Sequence, residues 1–203
     1  MTENTVASTM TEAELLEKFA EIPSAPISDG QDRLNVLDAG ISSVWPSPGA
    51  RLVGRAVTLT VGGGDNAGVH AVVDSLTEGD VLVINGQGLT HRALIGELIA
   101  SRAKKRGCRG FVIDGCVRDA VDLQEINFPV FARGVTPAGP YRNGPYRIGG
   151  PVAVGNVAVS PGDLMIGDDD GVVVVARDEA EQVLAAAQAK LVAEEKQRAE
   201  IGL

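Results

Sequence analysis

Aromatic residues are scarce in this chain. They make up 3% of its 203 residues, so a core must be built mainly from Val, Ile, Leu and Ala. Apolar residues still account for 44% of the sequence, which argues against a wholly disordered chain. The length favours one folded unit. We therefore predict a single domain over residues 1–203, with a flexible lead at residues 1–9 and a C-terminal helix within residues 178–203.

Cysteine and histidine are also rare, which limits the kinds of site that the chain can build. Cys108 and Cys116 are the only cysteines, and they form neither a disulfide framework nor a CxxC zinc pattern. His70 and His91 are the only histidines, and they belong to no HExxH or similar motif. We predict structural or surface positions for both histidines.

Three further absences narrow the function. The net charge of −9 argues against sequence-independent binding of nucleic acid, which normally needs a basic stripe. No N-terminal signal segment and no membrane-spanning apolar run is visible, so we expect a cytoplasmic protein without a membrane partner. Neither a GxGxxG fingerprint nor a P-loop follows a strand, which leaves a dinucleotide, an ATP or a methyltransferase site without support.

The middle of the chain alternates strand and helix patterns, which is typical of a parallel or mixed sheet covered by helices. Possible capping boxes mark helix starts at Thr11/Glu14, Ser28/Gln31 and Asp178/Glu181. Strands are predicted at 51–61, 80–84, 111–113, 129–132, 152–154, 157–159, 163–166 and 172–175. Helices are predicted at 66–76 and 119–126, and another within residues 90–106 that begins near Gly96. Residues 168–170 are three consecutive aspartates between two strand patterns, so a hairpin turn is favoured over a metal cluster.

One constellation stands out: Glu97, then twenty intervening residues, then Arg118-Asp119. Arg118 and Asp119 follow the strand at 111–113, and open α/β sheets commonly bind ligands at that end of a strand. Arginine offers a planar fork for a carboxylate or an enolate oxygen, and aspartate offers a hard oxygen ligand for Mg²⁺ or Mn²⁺. Glu97 could hold a water on such a metal. An Arg-Asp dipeptide alone is common, and a surface ion pair is its alternative interpretation.

Gly96 lies where the backbone N–H groups of residues 96–99 are expected to face a ligand. The first N–H groups of a helix have no intrahelical partner, and they favour a small anion such as a carboxylate. Because Gly96 has no side chain, a ligand can approach it closely. An ordinary glycine near a helix start is the alternative.

The segments around these residues resemble a known family. The pattern Glu97…Arg118-Asp119 and its flanks are similar to the class II pyruvate aldolases that cleave 4-hydroxy-4-methyl-2-oxoglutarate and 4-carboxy-4-hydroxy-2-oxoadipate, a family that shares its fold with regulator of ribonuclease activity A. The resemblance covers about residues 24–200. The flanking segments that carry it are 79–83, 112–119, 128–134 and 161–172.

The resemblance implies a fold, an assembly and a set of roles. The fold would be an α-β-β-α sandwich of the swivelling β/β/α type. Asp119 would bind the divalent metal, Mg²⁺ or Mn²⁺, and Arg118 the pyruvyl end of the substrate. The backbone of Gly96, Glu97, Leu98 and Ile99 would hold the pyruvyl carboxylate, and Glu97 would fix a metal-bound water. Trimers or hexamers would form, and the neighbour's Glu195, or Glu194 beside it, would complete each site.

The chemistry of the residues agrees with that expectation. Cleavage of a 4-hydroxy-2-oxo acid needs an electron sink at the 2-oxo group, which a chelated metal and Arg118 can provide. Decarboxylation of oxaloacetate needs the same sink, so we expect both activities. The alternative is a non-enzymatic regulator that binds a ribonuclease. Arg142 and Arg147 are candidates for contact with a distal carboxylate of the substrate.

Overall fold

The computed structural model describes residues 10–45 and 51–202 of the chain. The predicted lead at residues 1–9 lies outside the described residues. The helices in the described part are α1 Glu12–Ala20, α2 Ser24–Asp29, α3 Ala67–Val72, α4 Glu97–Lys105, α5 Ala120–Glu125 and α6 Ala180–Glu200, with 3₁₀ turns at Val73–Ser75 and Arg177–Glu179. The strands there are β1 Ser42–Ser43, β2 Leu52–Val61, β3 Asp80–Ile95, β4 Gly110–Val117, β5 Val130–Val135, β6 Tyr146–Ile148, β7 Val152–Val154, β8 Val157–Val159, β9 Leu164–Asp168 and β10 Gly171–Val175.

The main sheet is mixed and has the strand order β1-β5-β4-β3-β2-β9-β10, with β6 also pairing with β2. Strands β2, β3, β4 and β5 pair in parallel, as the alternation of strand and helix patterns predicts. Strands β1, β6, β9 and β10 pair antiparallel to their neighbours. Every residue of β4 is buried, as expected for a central parallel strand covered on both faces.

Three apolar clusters separate four layers. The first contains residues of α3, α4 and α5 together with residues of β2 to β5. The second joins β2 to β5 with β9, β10 and the β7–β8 hairpin, so it lies between two β layers. The third packs α1, α2 and α6 on β9 and β10. This is the expected α-β-β-α sandwich.

Several local predictions need correction. The capping box Thr11/Glu14 is present at α1, but Ser28 lies in the last turn of α2, so no helix starts there. At the C-terminal helix the N-cap is Glu179 and not Asp178, and the carboxylate of Glu181 accepts a hydrogen bond from the Met10 N–H.

The largest difference is at the end of β3, which the sequence predicts at residue 84. Strand β3 continues to Ile95, and α4 begins at Glu97, which confirms the predicted helix start near Gly96. Pairing outweighs local helix propensity here, because Ala93 and Ile95 are paired with Cys116 and Val117 across β-bulges. Strand β4 is correspondingly longer than predicted. It ends immediately before Arg118, so Arg118 and Asp119 follow the carboxyl end of a central strand directly.

Candidate active site

Arg118 and Asp119 form the link between β4 and α5. The Arg118 N–H donates to the carbonyl of Ile95 at 3.0 Å, which ties the ends of β4 and β3 together. Asp119 has φ 60° and ψ 42°, a left-handed conformation that few non-glycine residues adopt. Its carbonyl accepts the Leu123 N–H at 2.9 Å and so starts α5. Such strained backbone is often found at functional sites.

The N-terminus of α4 faces the Asp119 carboxylate. Asp119 Oδ2 accepts the backbone N–H of Glu97 at 3.1 Å and lies 3.5 Å from Arg118 Nε. The side chains of Arg118 and Asp119 are 44% and 36% exposed, so both remain open to solvent and ligand. A carboxylate oxygen therefore already occupies the position at the start of α4 where the sequence predicts an anion.

Gly96 makes this approach possible. A Cβ at residue 96 would lie 2.2 Å from Asp119 Oδ2 and 3.1 Å from Arg118 Nε. The backbone of Gly96 is extended, with φ −143°, so the requirement for glycine comes from space and not from conformation. The structure thus brings Gly96, the Glu97 N–H, Arg118 and Asp119 together.

A cavity of about 130 Å³ opens beside this group. One side is formed by the predicted residues Gly96, Leu98, Ile99, Arg118 and Asp119. The remaining lining residues are Asn66, His70, Leu94, Ile95, Pro140 and Arg142. Arg142 therefore contributes to the cavity, whereas Arg147, the other arginine predicted near a distal carboxylate, lies on β6 and is not among its lining residues.

Glu97 and Glu195, the glutamates predicted to act in the site, have side chains that do not line the cavity. Glu97 Oε1 accepts a hydrogen bond from Ser101 Oγ at 2.5 Å on the same helix, and the Glu97 side chain does not line the cavity. Glu195 is exposed on α6, whose main packing partners are α1 and α2. Neither Glu195 nor Glu194 lines the cavity of its own chain. A role for Glu195 requires a neighbouring subunit and stays a prediction.

The cavity is also lined by Asn66 and His70, which the sequence did not identify as ligand-binding residues. Asn66 is 2% exposed and donates from Nδ2 to the Leu94 carbonyl at 3.2 Å. His70 has a pKa below its ordinary value because burial and then the nearby guanidinium groups of Arg142 and Arg102 disfavour the charged ring. His70 lines the cavity, and its structural role stays a prediction. Its position on α3, the helix that follows the carboxyl end of β2, was the available signal, because Arg118 follows the carboxyl end of the parallel strand β4.

Asp65 fixes the loop that carries Arg142. Its carboxylate is buried and accepts the N–H groups of Ala67 at 2.9 Å and of Asn143 at 2.5 Å. Burial alone would raise the pKa of Asp65, but backbone N–H groups from Asn143, Ala67 and Gly144 hold it below its ordinary value. The loop is thus attached to the first residues of α3.

No group of three or more His, Cys, Asp or Glu residues that could hold a metal ion occurs among the described residues. Residues 168–170 form the predicted hairpin turn between β9 and β10, where Asp168 accepts hydrogen bonds from Ser24 at 2.7 and 2.6 Å. No helix in the described part of the chain is long and apolar enough to cross a membrane.

Comparison with known proteins agrees with the family resemblance seen in the sequence. The model of the RraA-like family, described as Aldolase/RraA, matches residues 24–174. A protein of Halalkalibacterium halodurans with the provisional name 4-hydroxy-4-methyl-2-oxoglutarate aldolase is 37% identical over 179 residues, which are 88% of this chain and 84% of that protein.

Solved structures share the fold. An uncharacterized protein from Pseudomonas syringae pv. tomato superposes with a TM-score of 0.83 at 26% identity, over 97% of this chain and 96% of that chain. The RNA-processing inhibitor RraA from Thermus thermophilis superposes with a TM-score of 0.69 at 31% identity, over 75% of this chain and 92% of that chain.

Proposed function

The chain belongs to the Aldolase/RraA family, and on that premise we propose that it is a divalent-metal-dependent pyruvate aldolase. It would cleave 4-hydroxy-2-oxo acids to pyruvate and a second 2-oxo acid, and would also decarboxylate oxaloacetate. One observation carries the proposal: Arg118, the Asp119 carboxylate and the N-terminus of α4 converge on Gly96 beside a cavity.

The residues present fit a Mg²⁺ or Mn²⁺ ion. Asp119 offers hard oxygen atoms at the cavity, and within the described residues its Oδ1 has no hydrogen-bond partner. Mg²⁺ usually keeps several waters and needs only one or two protein carboxylates, so a single aspartate from this chain is sufficient. When bound, the cation supplies Lewis-acid polarisation of the 2-oxo group.

The chain's own residues then have separable tasks. The Glu97 N–H is held by Asp119 Oδ2, so the remaining N–H groups in the first turn of α4 bind the pyruvyl carboxylate beside it. The Arg118 guanidinium donates to the 2-oxo oxygen and stabilises the negative charge that develops there as the C3–C4 bond breaks. Glu97, whose side chain lies outside the cavity lining and binds Ser101 through Oε1, would orient a water that takes up the proton of the hydroxyl on carbon 4 and returns a proton to carbon 3.

Glu195 is proposed to act across a subunit interface in a homotrimer or in a hexamer of paired trimers. The exposed end of α6, which carries Glu194 and Glu195, extends past the part of the helix that is buried against its own chain. A glutamate on such a projecting end can reach a neighbouring site.

The second candidate is a regulator that binds a ribonuclease, because a solved relative is described as an RNA-processing inhibitor. The Gly96, Arg118 and Asp119 arrangement favours the enzyme, since a binding surface alone does not require a carboxylate at a helix N-terminus beside a cavity. A pull-down that found a stable ribonuclease complex, together with no turnover, would reverse this order.

The test of the proposed enzyme is pyruvate release from oxaloacetate and from 4-hydroxy-4-methyl-2-oxoglutarate, with Mg²⁺, with Mn²⁺ and with excess chelator. Asp119→Asn keeps the shape of the side chain and tolerates the left-handed backbone. We expect chelation and Asp119→Asn each to remove turnover, whereas Asp122→Asn, an exposed aspartate on α5, should retain it. Full turnover in the presence of chelator would refute the proposal.

A further inference from the structure

Arg92 joins three segments at one end of the sheet. It lies in β3, where its Nη1 donates to the Gly139 carbonyl at 2.6 Å and its Nη2 donates to the Tyr141 hydroxyl at 2.8 Å. Its guanidinium also lies over the Tyr141 ring, 3.9 Å from the ring centroid. The aliphatic part of the side chain passes beside Gly64, where a Cβ would lie 3.2 Å from Arg92 Cβ and Cδ. One side chain therefore connects β3 with the loops that follow β2 and β5.

These contacts depend on the shape of the guanidinium. Both acceptors of Arg92 are neutral oxygen atoms, so neither contact is an ion pair. The planar group reaches a carbonyl and a hydroxyl at once while it stacks on an aromatic ring. Lysine carries the same charge at a single point and cannot reproduce this combination.

The backbone that Arg92 binds lies next to the guanidinium of the candidate site. A Cβ at Gly139 would lie 3.5 Å from Arg118 Nη1. The Ala93 N–H donates to the Ala138 carbonyl at 2.8 Å, so the chain just before Gly139 is also fixed to β3. The Arg118 side chain is 44% exposed, and its orientation therefore depends on the few groups that lie against it. Gly139 is one of these groups.

We propose that Arg92 is a positioning residue that holds the loop over residues 138–141 against Arg118 and so sets the direction of the Arg118 guanidinium. This rests on the proposed function, in which Arg118 contacts the 2-oxo group. Arg92 is not among the residues that line the cavity, so it acts through the loop and not on the substrate. Arg118 stabilises charge that develops as the bond breaks. A misdirected guanidinium therefore lowers kcat, whereas the N–H groups of α4 still bind the pyruvyl carboxylate.

Substitution of Arg92 tests this role by steady-state kinetics with oxaloacetate. We expect kcat to fall about tenfold or more in Arg92→Gln and in Arg92→Lys, with KM within about twofold of the wild type. Tyr141→Phe keeps the ring beneath the guanidinium and should lose no more than about threefold in kcat. Arg177→Gln is the matched control, because this exposed arginine is paired with Glu12, and its kinetics should be unchanged. A full kcat in Arg92→Gln would overturn the proposal.

Arg118→Lys separates positioning of Arg118 from a general structural role of Arg92. The exchange of pyruvate methyl protons with D₂O, followed by nuclear magnetic resonance over hours, measures slow variants. In the wild-type background Arg92→Gln should slow this exchange about tenfold, but in the Arg118→Lys background by less than about twofold, because the guanidinium that it positions is gone. Equal losses in both backgrounds would show that Arg92 acts independently of Arg118 and would overturn the proposal.

Amide hydrogen exchange gives a measurement that needs no turnover. The Tyr141 N–H donates to the Gly64 carbonyl at 2.8 Å and reports on the loop. In Arg92→Gln it should exchange at least about tenfold faster, whereas the amides of β4 should keep their wild-type protection. Unchanged exchange at Tyr141 would overturn the hold of Arg92 on the loop. If the Tyr141 amide responds but the wild type turns over no substrate, the proposed function fails and that hold stands.

Discussion

Gly96→Ala is the most informative single substitution for the geometry of this site. The new Cβ would lie 2.2 Å from Asp119 Oδ2, whereas ordinary contact begins near 3.4 Å, so the carboxylate must move by 1.2 Å if the backbone stays in place. That movement breaks the 3.1 Å hydrogen bond to the Glu97 N–H and displaces Arg118, whose Nε would lie 3.1 Å from the methyl group. Misplacement by about 1 Å can cost a factor of about 100 in rate.

Stability should change much less. The backbone at residue 96 is extended, which alanine adopts freely, and the displaced side chains are partly exposed and can move into solvent. We expect kcat/KM to fall by about two orders of magnitude. The free energy of unfolding should change by only about 1 kcal/mol, the cost of alanine at a helix N-cap.

Steady-state kinetics and urea denaturation of the same preparations measure both quantities. Gly134→Ala is the control, because its Cβ would make only an ordinary 3.5 Å contact with Cys116 Sγ. If Gly96→Ala kept the wild-type kcat/KM, the close approach of Asp119 to the start of α4 would not matter for catalysis, and the reasoning would be wrong.

Two further predictions concern the loop and the subunit interface. Asp65→Asn should lower the free energy of unfolding by about 1–2 kcal/mol at pH 7, because it removes the charge that binds the buried N–H groups. The folded pKa of Asp65 is lowered, so this stabilisation is present above the ordinary aspartate pKa of about 3.9 and is lost as the pH falls through the folded pKa. Denaturation at several pH values should therefore show that the difference in unfolding free energy between the wild type and Asp65→Asn becomes smaller in acid. A difference that does not depend on pH would contradict the assignment of this stabilisation to the Asp65 carboxylate. If Glu195 acts across an interface, each site in a trimer combines Asp119 of one subunit with Glu195 of its neighbour. Trimers mixed from equal amounts of Asp119→Asn and Glu195→Ala subunits should therefore recover about a quarter of the wild-type activity. No recovery after subunit exchange would exclude that role.

Much of the architecture could be predicted because it follows from short-range patterns. Apolar strands alternate with helices through residues 51–135, which is enough to indicate parallel pairing and helices on the sheet. The continuation of β3 from residue 84 to Ile95 could not be predicted, because residues 89–95 pair with β4 across bulges, which is a long-range interaction. Local helix propensity carries no information about such a partner.

The candidate site, like the fold, could be predicted only in part. The spacing from Glu97 to Arg118 and Asp119 indicates a shared sheet edge, and the structure places the Glu97 backbone against Asp119. It does not indicate that the Glu97 side chain binds Ser101, since that depends on the rotamer. Asn66 could not be identified from the sequence, because its place in the cavity depends on the long-range hydrogen bond from its side chain to the Leu94 carbonyl.

The central claim is that Asp119 binds a divalent cation, and Mn²⁺ binding measured by electron paramagnetic resonance tests it without any assay of turnover. We expect the wild type and Asp122→Asn to bind Mn²⁺, with pyruvate strengthening the binding, and Asp119→Asn to lose it. Equal Mn²⁺ binding by Asp119→Asn and the wild type would contradict the account.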